Sequence, residues 1–423
     1  MLSGKCLHRV RAWSDESCDF NTQDATDDNA KKAVIANNLS YFLSVEPEMQ
    51  WPVSLWFNRT AVVRDGATGI SPSIIAFGTL RKVVPRCRNV KKLQVVLKCF
   101  FLSENKKYAV QVDGLMYENM VYSCIVSNII ETPFFVFPYA SFVKDLDTDD
   151  KFEAELAVKG RKYIGKLGNV DLPVKCKFIV TENCGAVCLD DFATTCDDDT
   201  FLLITLQMIA ALEVLRVNQI THNDMHWHNV LVKQDAAGFW FDLLTGKVVH
   251  PTTSPTQQKT SRGSDGARLV PRDSIVWMNY GSQVKIFDWD RAVGAFTGRP
   301  NLRAEDYGAH AHAHNDMYDI VGFIKNWARH VIWVREDSVK MQRCQDVFYA
   351  NYGVLMGQNK WLSTGWHNTC KPYDTEEEAD QNYVVSDCDQ KWPKEVMSGL
   401  VTAFRDFNRD VIEMLPADAF FSI

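Results

Sequence analysis

Between residues 71 and 101 the apolar positions gather into three short runs, "SPSIIAFG", "LRKVV" and "LQVVLKCFF", divided by short polar loops. Their β-branched and aromatic content predicts an antiparallel meander. The segment 46–70, with "MQWPVSLWFNRTAVV", has the same strand-like texture. In "LMYENMVYSCIVSNII" (115–130) the apolar residues switch to helical spacing, and "TPFFVFPYASF" (132–142) reads as a buried strand ending at Pro138. Helical texture dominates further on. "FLLITLQMIAALEVL" (201–215) is too short for a membrane span and carries Thr205, Gln207 and Glu213, so a buried helix over 201–217 is expected. "VKIFDWDRA" (284–292) has strand character before its acidic pair, and 314–334 and 393–415 read as helices.

Two segments lack such patterning. Residues 1–45 are polar and acid-rich and are expected to form a flexible leader. "HPTTSPTQQKTSRGSDGARLVPRD" (250–273) is poor in apolar residues and rich in Ser, Thr, Gly and Pro, the composition of an exposed insertion over about 250–275. The stretch before it, "GFWFDLLTGKVV" (238–249), is expected to extend a hairpin. The pattern therefore predicts an α+β chain in two lobes. A small antiparallel β lobe with one helix covers 46–137, and a larger, mainly helical lobe covers 138–423.

Composition adjusts this picture only slightly. The 423 residues are 46% hydrophobic and 12% aromatic, enough for a sizeable core. The net charge of -7 supplies no basic field for gripping nucleic acid, so neither a nucleic-acid nor a membrane partner is expected. Twelve cysteines without a CxxC pair suggest reduced thiols in a cytoplasmic protein.

The chemistry concentrates in "THNDMHWHNVLV" (221–232). One reading is a metal site on His222, His226 and His228. The other is a catalytic loop in which one carboxylate and one amide face the same substrate. The D-x-x-x-x-N spacing of Asp224 and Asn229, with His222 two residues before the acid, resembles the catalytic loop of protein kinases. That resemblance implies that Asp224 orients an attacking hydroxyl and accepts its proton while Asn229 helps to hold Mg²⁺. A triphosphate demands a second acid, which "VKIFDWDRA" supplies at Asp288. It also demands a cation for the α and β phosphates, and Lys98 ends the apolar run "VVLK" (95–98). A lysine there is costly to bury without an anion; Glu118, about twenty residues on, is the candidate partner. "HAHAH" (310–314) lacks a further ligand in view and reads as an exposed loop.

With Lys98, Glu118, His222, Asp224, Asn229 and Asp288 in this order, the chain resembles the protein-kinase-like superfamily over about 71–334. It is most similar to the divergent Ser/Thr protein kinases of large DNA viruses. The resemblance implies a two-lobed kinase fold, ATP and Mg²⁺ as cofactors, and a Ser or Thr of a protein as acceptor, in host cytoplasm or virion. Asp224, Lys98 and His226 would be catalytic, with His226 assisting the transferring phosphoryl group. Asn229 and Asp288 would bind the metal. Lys98, Glu118 and Gly78 would serve the nucleotide, Gly78 as the surviving glycine of a phosphate-covering hairpin overlaid on "AFGTLRKV" (76–83). "FPYAS" (137–141) would be the adenine-binding hinge, and Asp319, rather than Asp316, would anchor the catalytic loop.

The chain departs from the pattern at several places. Asn223 replaces the arginine of H-R-D, which removes the usual requirement for a phosphorylated activation loop. His226 stands where Ser/Thr kinases carry lysine, Trp289 and Asp290 follow Asp288 in place of Phe-Gly, and no A-P-E motif follows. Two alternatives stay open on these grounds: a small-molecule kinase of the aminoglycoside or choline kinase type, and a pseudokinase scaffold.

Overall fold

The structure, a computed structural model, describes Lys32, Ile35, Ala36, Leu39 and residues 52–63, 73–80, 93–102, 109–128, 132–165, 174–234, 240–242, 247–252, 275–277, 281–294, 301–302, 318–335, 337–342, 344 and 420–422. It is an α+β protein built on antiparallel sheets. The chain divides into two compact units, Met1–Ile130 with Val136–Cys184, and Glu131–Phe135 with Gly185–Ile423.

The first unit is organised by a five-stranded sheet. Its elements in chain order are α1 (Val53–Trp56), β1 (Phe57–Val63), β2 (Ser73–Leu80), β3 (Gln94–Leu102), α2 (Ala109–Asn128), β4 (Pro138–Asp145), α3 (Lys151–Gly165) and β5 (Lys175–Glu182). The spatial order is β1-β2-β3-β5-β4, every neighbour antiparallel. In β2 and along most of β3 alternate residues are buried, the period-2 signature of a sheet with one face on a core. Ala76, Val95, Leu97 and Cys99 join Trp56, Phe57, Phe152, Leu156 and Phe178 in that core.

Several expectations are corrected here. The expected boundary at 137/138 moves to Cys184, because β5 pairs with β3 and β4 pairs with β5, which ties 138–182 to the first sheet. Pro138 opens a strand and does not end one. It is the first residue of the sheet's edge strand, where a missing N–H is tolerated. The expected hinge at 137–141 is thus the start of β4, and the chain leaves the first unit after Cys184. The strand-like stretch before β1 contains the single turn α1. The leader is not loose at four positions: Lys32, Ile35, Ala36 and Leu39, spaced i, i+3, i+4 and i+7, are helical and buried, and the last three enter the core. The remaining leader residues, "RKVV" (81–84), 253–274, the histidines of 310–314, Asp316 and the helix expected over 393–415 lie outside the described residues.

In the second unit the helices α4 (Leu189–Thr195) and the long α5 (Asp198–Val217) follow one short strand and precede the others. The Asp197 side chain caps α5 by accepting from Thr200 N at 2.7 Å. By length and composition α5 could cross a membrane, but 78% of its apolar window is buried within the protein. Its polar positions are spent internally. Gln207 donates to Ser282 O and accepts from Val284 N, both at 2.9 Å, and Thr205 Oγ1 accepts from Trp327 Nε1 at 2.9 Å.

The strands are β6 (Val187–Cys188), β7 (Ile220–Thr221), β8 (Val230–Gln234), β9 (Trp240–Asp242), β10 (Lys247–Thr252), β11 (Ile275–Trp277), β12 (Ser282–Ile286), β13 (Val293–Gly294) and β14 (Phe420–Ser422), with α6 (Tyr318–Val334) following β13. β9 and β10 form the hairpin expected over 238–249, flanked by β11 and β14. Two ladders matter most for function. β12 pairs with β8, from Ser282↔Gln234 to Ile286↔Val230, and β13 pairs with β7 through Val293↔Thr221. Residues 222–229 and 287–292 both run from one ladder to the other, so the chain path itself brings the two segments together.

Candidate functional site

In the first unit, Lys98 lies mid-strand on β3, opposite Ile75 of β2 and Ile179 of β5. Its Nζ is 3.0 Å from both carboxylate oxygens of Glu118 on α2 and 4.9 Å from the centre of the Phe100 ring. Glu118 is only 1% exposed. A fork of this kind satisfies two charges that neither could afford to bury alone. Gly78 sits elsewhere than expected: it is inside β2, opposite Arg59 and Val95, and not in a hairpin. A Cβ there would lie 2.4 Å from Asn58 O and 2.5 Å from the Phe57 ring, so the position demands glycine for packing. The link between β1 and β2 is 64–72, which carries "DGATG" and lies outside the described residues.

In the second unit the loop 222–229 is held from beneath by Asp319. His222 N donates to Asp319 Oδ2 at 2.6 Å and Asn223 N to Oδ1 at 2.9 Å. Burial pushes the Asp319 carboxyl up to about 7, against the two backbone N–H groups that favour its anion. Asn223 takes a left-handed conformation (φ 63°), which asparagine tolerates better than most side chains, and its Nδ2 donates to Arg291 O at 2.9 Å.

His222 is fully buried against Trp289, ring centroids 4.6 Å apart. Its Nε2 faces Phe287 O at 2.9 Å and its Nδ1 faces Asp224 N at 3.3 Å. A carbonyl can only accept and an amide N–H only donate, so the neutral Nε2–H tautomer fits both. Burial, the largest influence, holds its pKa below the ordinary value. Both ring nitrogens are thereby committed, and a zinc site on the three histidines fails at His222. Among the described residues no group of three or more His, Cys, Asp or Glu could hold a metal ion.

Asp224 is engaged at both carboxylate oxygens. Oδ1 accepts from Arg291 Nη1 at 2.7 Å; Oδ2 accepts from Asn229 Nδ2 at 3.1 Å and lies 3.5 Å from His226 Nε2. Burial alone would raise its pKa, yet His226 and the Arg291 charge prevail and hold it below the usual carboxylate range. Asn229 Nδ2 also donates to Asp224 O at 3.0 Å. The amide nitrogen of Asn229 is therefore turned to Asp224, leaving its oxygen as the remaining acceptor. Phe287 N donates to Asn229 O at 3.2 Å, so the half-buried Asp288 is one residue from the end of that rung. Asp288 is also left-handed (φ 67°), a conformation that costs a non-glycine residue about 1–2 kcal/mol. His228 points to another neighbour, with Nδ1 3.4 Å from Cys188 Sγ.

Three residues take structural roles that their sequence context did not assign, although Asn223 stood out as the replacement for the H-R-D arginine. Arg291 pairs with Asp224. Asn223 joins the two segments. Asn301, fully buried, donates to Asp290 O at 3.1 Å and to Ala292 O at 2.8 Å and fixes the turn that carries Arg291. Only the adjacency of Arg291 to the acidic pair in "DWDRA" could have hinted at the first. Neither protein-family models nor curated proteins give a match to this chain.

Proposed function

We propose that this protein is an ATP-dependent phosphotransferase with a two-lobed, protein-kinase-like fold, acting on Ser or Thr hydroxyls of a protein. The observation that carries this reading is that the loop holding Asp224 and Asn229 and the segment holding Asp288 join the same pair of ladders, with Phe287 N donating to Asn229 O. A carboxylate held ionised, a buried amide with a spare oxygen and a left-handed acid on the adjoining segment make up the inventory that phosphoryl transfer needs. The Lys98–Glu118 fork and the β1-β2-β3-β5-β4 sheet, with α2 between β3 and β4, support it independently.

The donor set suits Mg²⁺, which takes hard oxygen ligands and retains several waters and phosphate oxygens. Asn229 Oδ1 and the Asp288 carboxylate would hold it, and the ion supplies neutralisation of phosphate charge. Lys98, oriented by Glu118, pairs with the α and β phosphates of ATP. Asp224 accepts the acceptor's proton as the hydroxyl oxygen forms its bond to the γ-phosphorus and the bond from that phosphorus to the ADP oxygen breaks. His226, next to Asp224, is placed to donate to the transferring group. His222 and Asp319 act only on the loop backbone.

Transfer of labelled phosphate from ATP into protein substrates tests the reading. Asp224→Ala is expected to lose about 10²- to 10⁴-fold in rate, and Asp288→Ala to lose metal-dependent transfer. Full transfer in both variants overturns it. Label entering small alcohols or amines but no protein replaces the acceptor class. If Mg-ATP neither labels anything nor raises the melting temperature, the scaffold alternative replaces the enzyme.

A further inference from the structure

We propose that Arg291 is a positioning residue for the acid at the centre of the loop, holding the Asp224 carboxylate in the one orientation from which it can receive a hydroxyl proton. This rests on the phosphotransferase reading above and adds to it a residue outside the kinase-like pattern. Asp224 Oδ1 is 2.7 Å from Arg291 Nη1, and the two side chains are 14% and 19% exposed, so solvent screens the pair only in part. The other oxygen is bounded by Asn229 Nδ2 and His226 Nε2. With Oδ1 fixed by a guanidinium, rotation of the carboxylate would break an ionic contact, and one rotamer is selected.

Arg291 is itself built in. It lies in the turn following Asp288, where Ala292 N donates to Trp289 O at 3.0 Å. Its carbonyl is held by Asn223 Nδ2, and the carbonyls on either side of it are held by Asn301 Nδ2. Asn223 immediately precedes Asp224 and receives Asp319 through its N–H. A closed circuit results, from Asp319 to Asn223, from Asn223 to the Arg291 backbone, and from the Arg291 side chain to Asp224. A merely solvated arginine would need no such framing of its backbone.

Arg291 is the permanent cation in direct contact with Asp224, at 2.7 Å, and its planar fork fixes the direction of that contact.

The experiment combines two readouts on the full chain. The Asp224 side-chain rotamer is read from three-bond couplings in protein labelled at aspartate, its signals assigned with Asp224→Asn. A single rotamer is expected in the wild type, averaging between rotamers in Arg291→Gln and Arg291→Ala, and a single rotamer again in Arg291→Lys. kcat should fall about 100-fold in Arg291→Gln and Arg291→Ala, the cost of misplacing a reacting group, with KM for ATP unchanged and most of the rate regained in Arg291→Lys. A single Asp224 rotamer in all three folded variants overturns the proposal, whether or not the protein transfers phosphate. So does unchanged kcat in Arg291→Gln when Asp224→Ala is inactive, which would leave the phosphotransferase reading standing. Full transfer in Asp224→Ala overturns that reading instead, and the rotamer measurement still decides the pairing.

Discussion

Asp319 accepts from two backbone N–H groups at a buried position, and its response to pH follows from that placement. In the folded protein its carboxyl titrates at about 7, against an ordinary value of 3.8. Between those values the folded form binds the proton more tightly than the unfolded chain. Its contribution to stability therefore declines as pH rises through this window and levels off above it. Asp319→Asn offers one oxygen to two donors, so we expect a loss of about 1–3 kcal/mol. Because the variant has no carboxyl to titrate, its deficit relative to wild type should be largest at the acid end and shrink toward neutrality. Urea unfolding at about pH 5 and about pH 8 checks this; equal deficits would mean that Asp319 is ionised throughout. At this scale the candidate acids and amide were legible, since residue type and spacing carry them. The Arg291 and Asn223 contacts were not, because they depend on how two distant segments are laid side by side.

Among the elements, β2 shows how a sequence motif and a packing demand can be confused. The glycine in "AFGTL" has the company expected of a phosphate hairpin, but alternation through 73–80 already marks the segment as strand, and Phe57 fills the space a side chain would occupy. Gly78→Ala should therefore destabilise the first unit by overpacking, by about 1–3 kcal/mol. Thermal melts should show the loss, while KM for ATP in the folded fraction stays at its wild-type value. The converse result, normal melting with weakened ATP binding, would return Gly78 to the nucleotide. α5 was readable from its apolar run, and β3 from its β-branched alternation. The two-residue strands β6, β7 and β13 were beyond reach, since two residues hold no period. Pro138 misled because a proline signals a stop in a central strand but is harmless as the opening residue at a sheet edge.

For the whole molecule, the N-terminal segment and the chain's route between units set what can be removed. Ile35 and Leu39 bury side chains worth about 1.5–3 kcal/mol each, and Lys32 Nζ lies 2.7 Å from Glu182 Oε2. Deleting residues 1–40 should therefore lower the melting temperature measurably, whereas a leader without contacts would leave it unchanged. The leader's acid-rich composition hid this, because four inward-facing positions barely alter an average. The second consequence is one of modularity. The first unit is interrupted by Glu131–Phe135, which belong to the second. Ile286 N donates to Phe134 O at 2.8 Å, and Phe135 bridges in parallel to Ile286. A gene bisected at 184/185 would leave these five residues on the wrong fragment, depriving β12 of its neighbour. Split-protein complementation, with both fragments co-expressed, is the form in which such a cut should be tolerated.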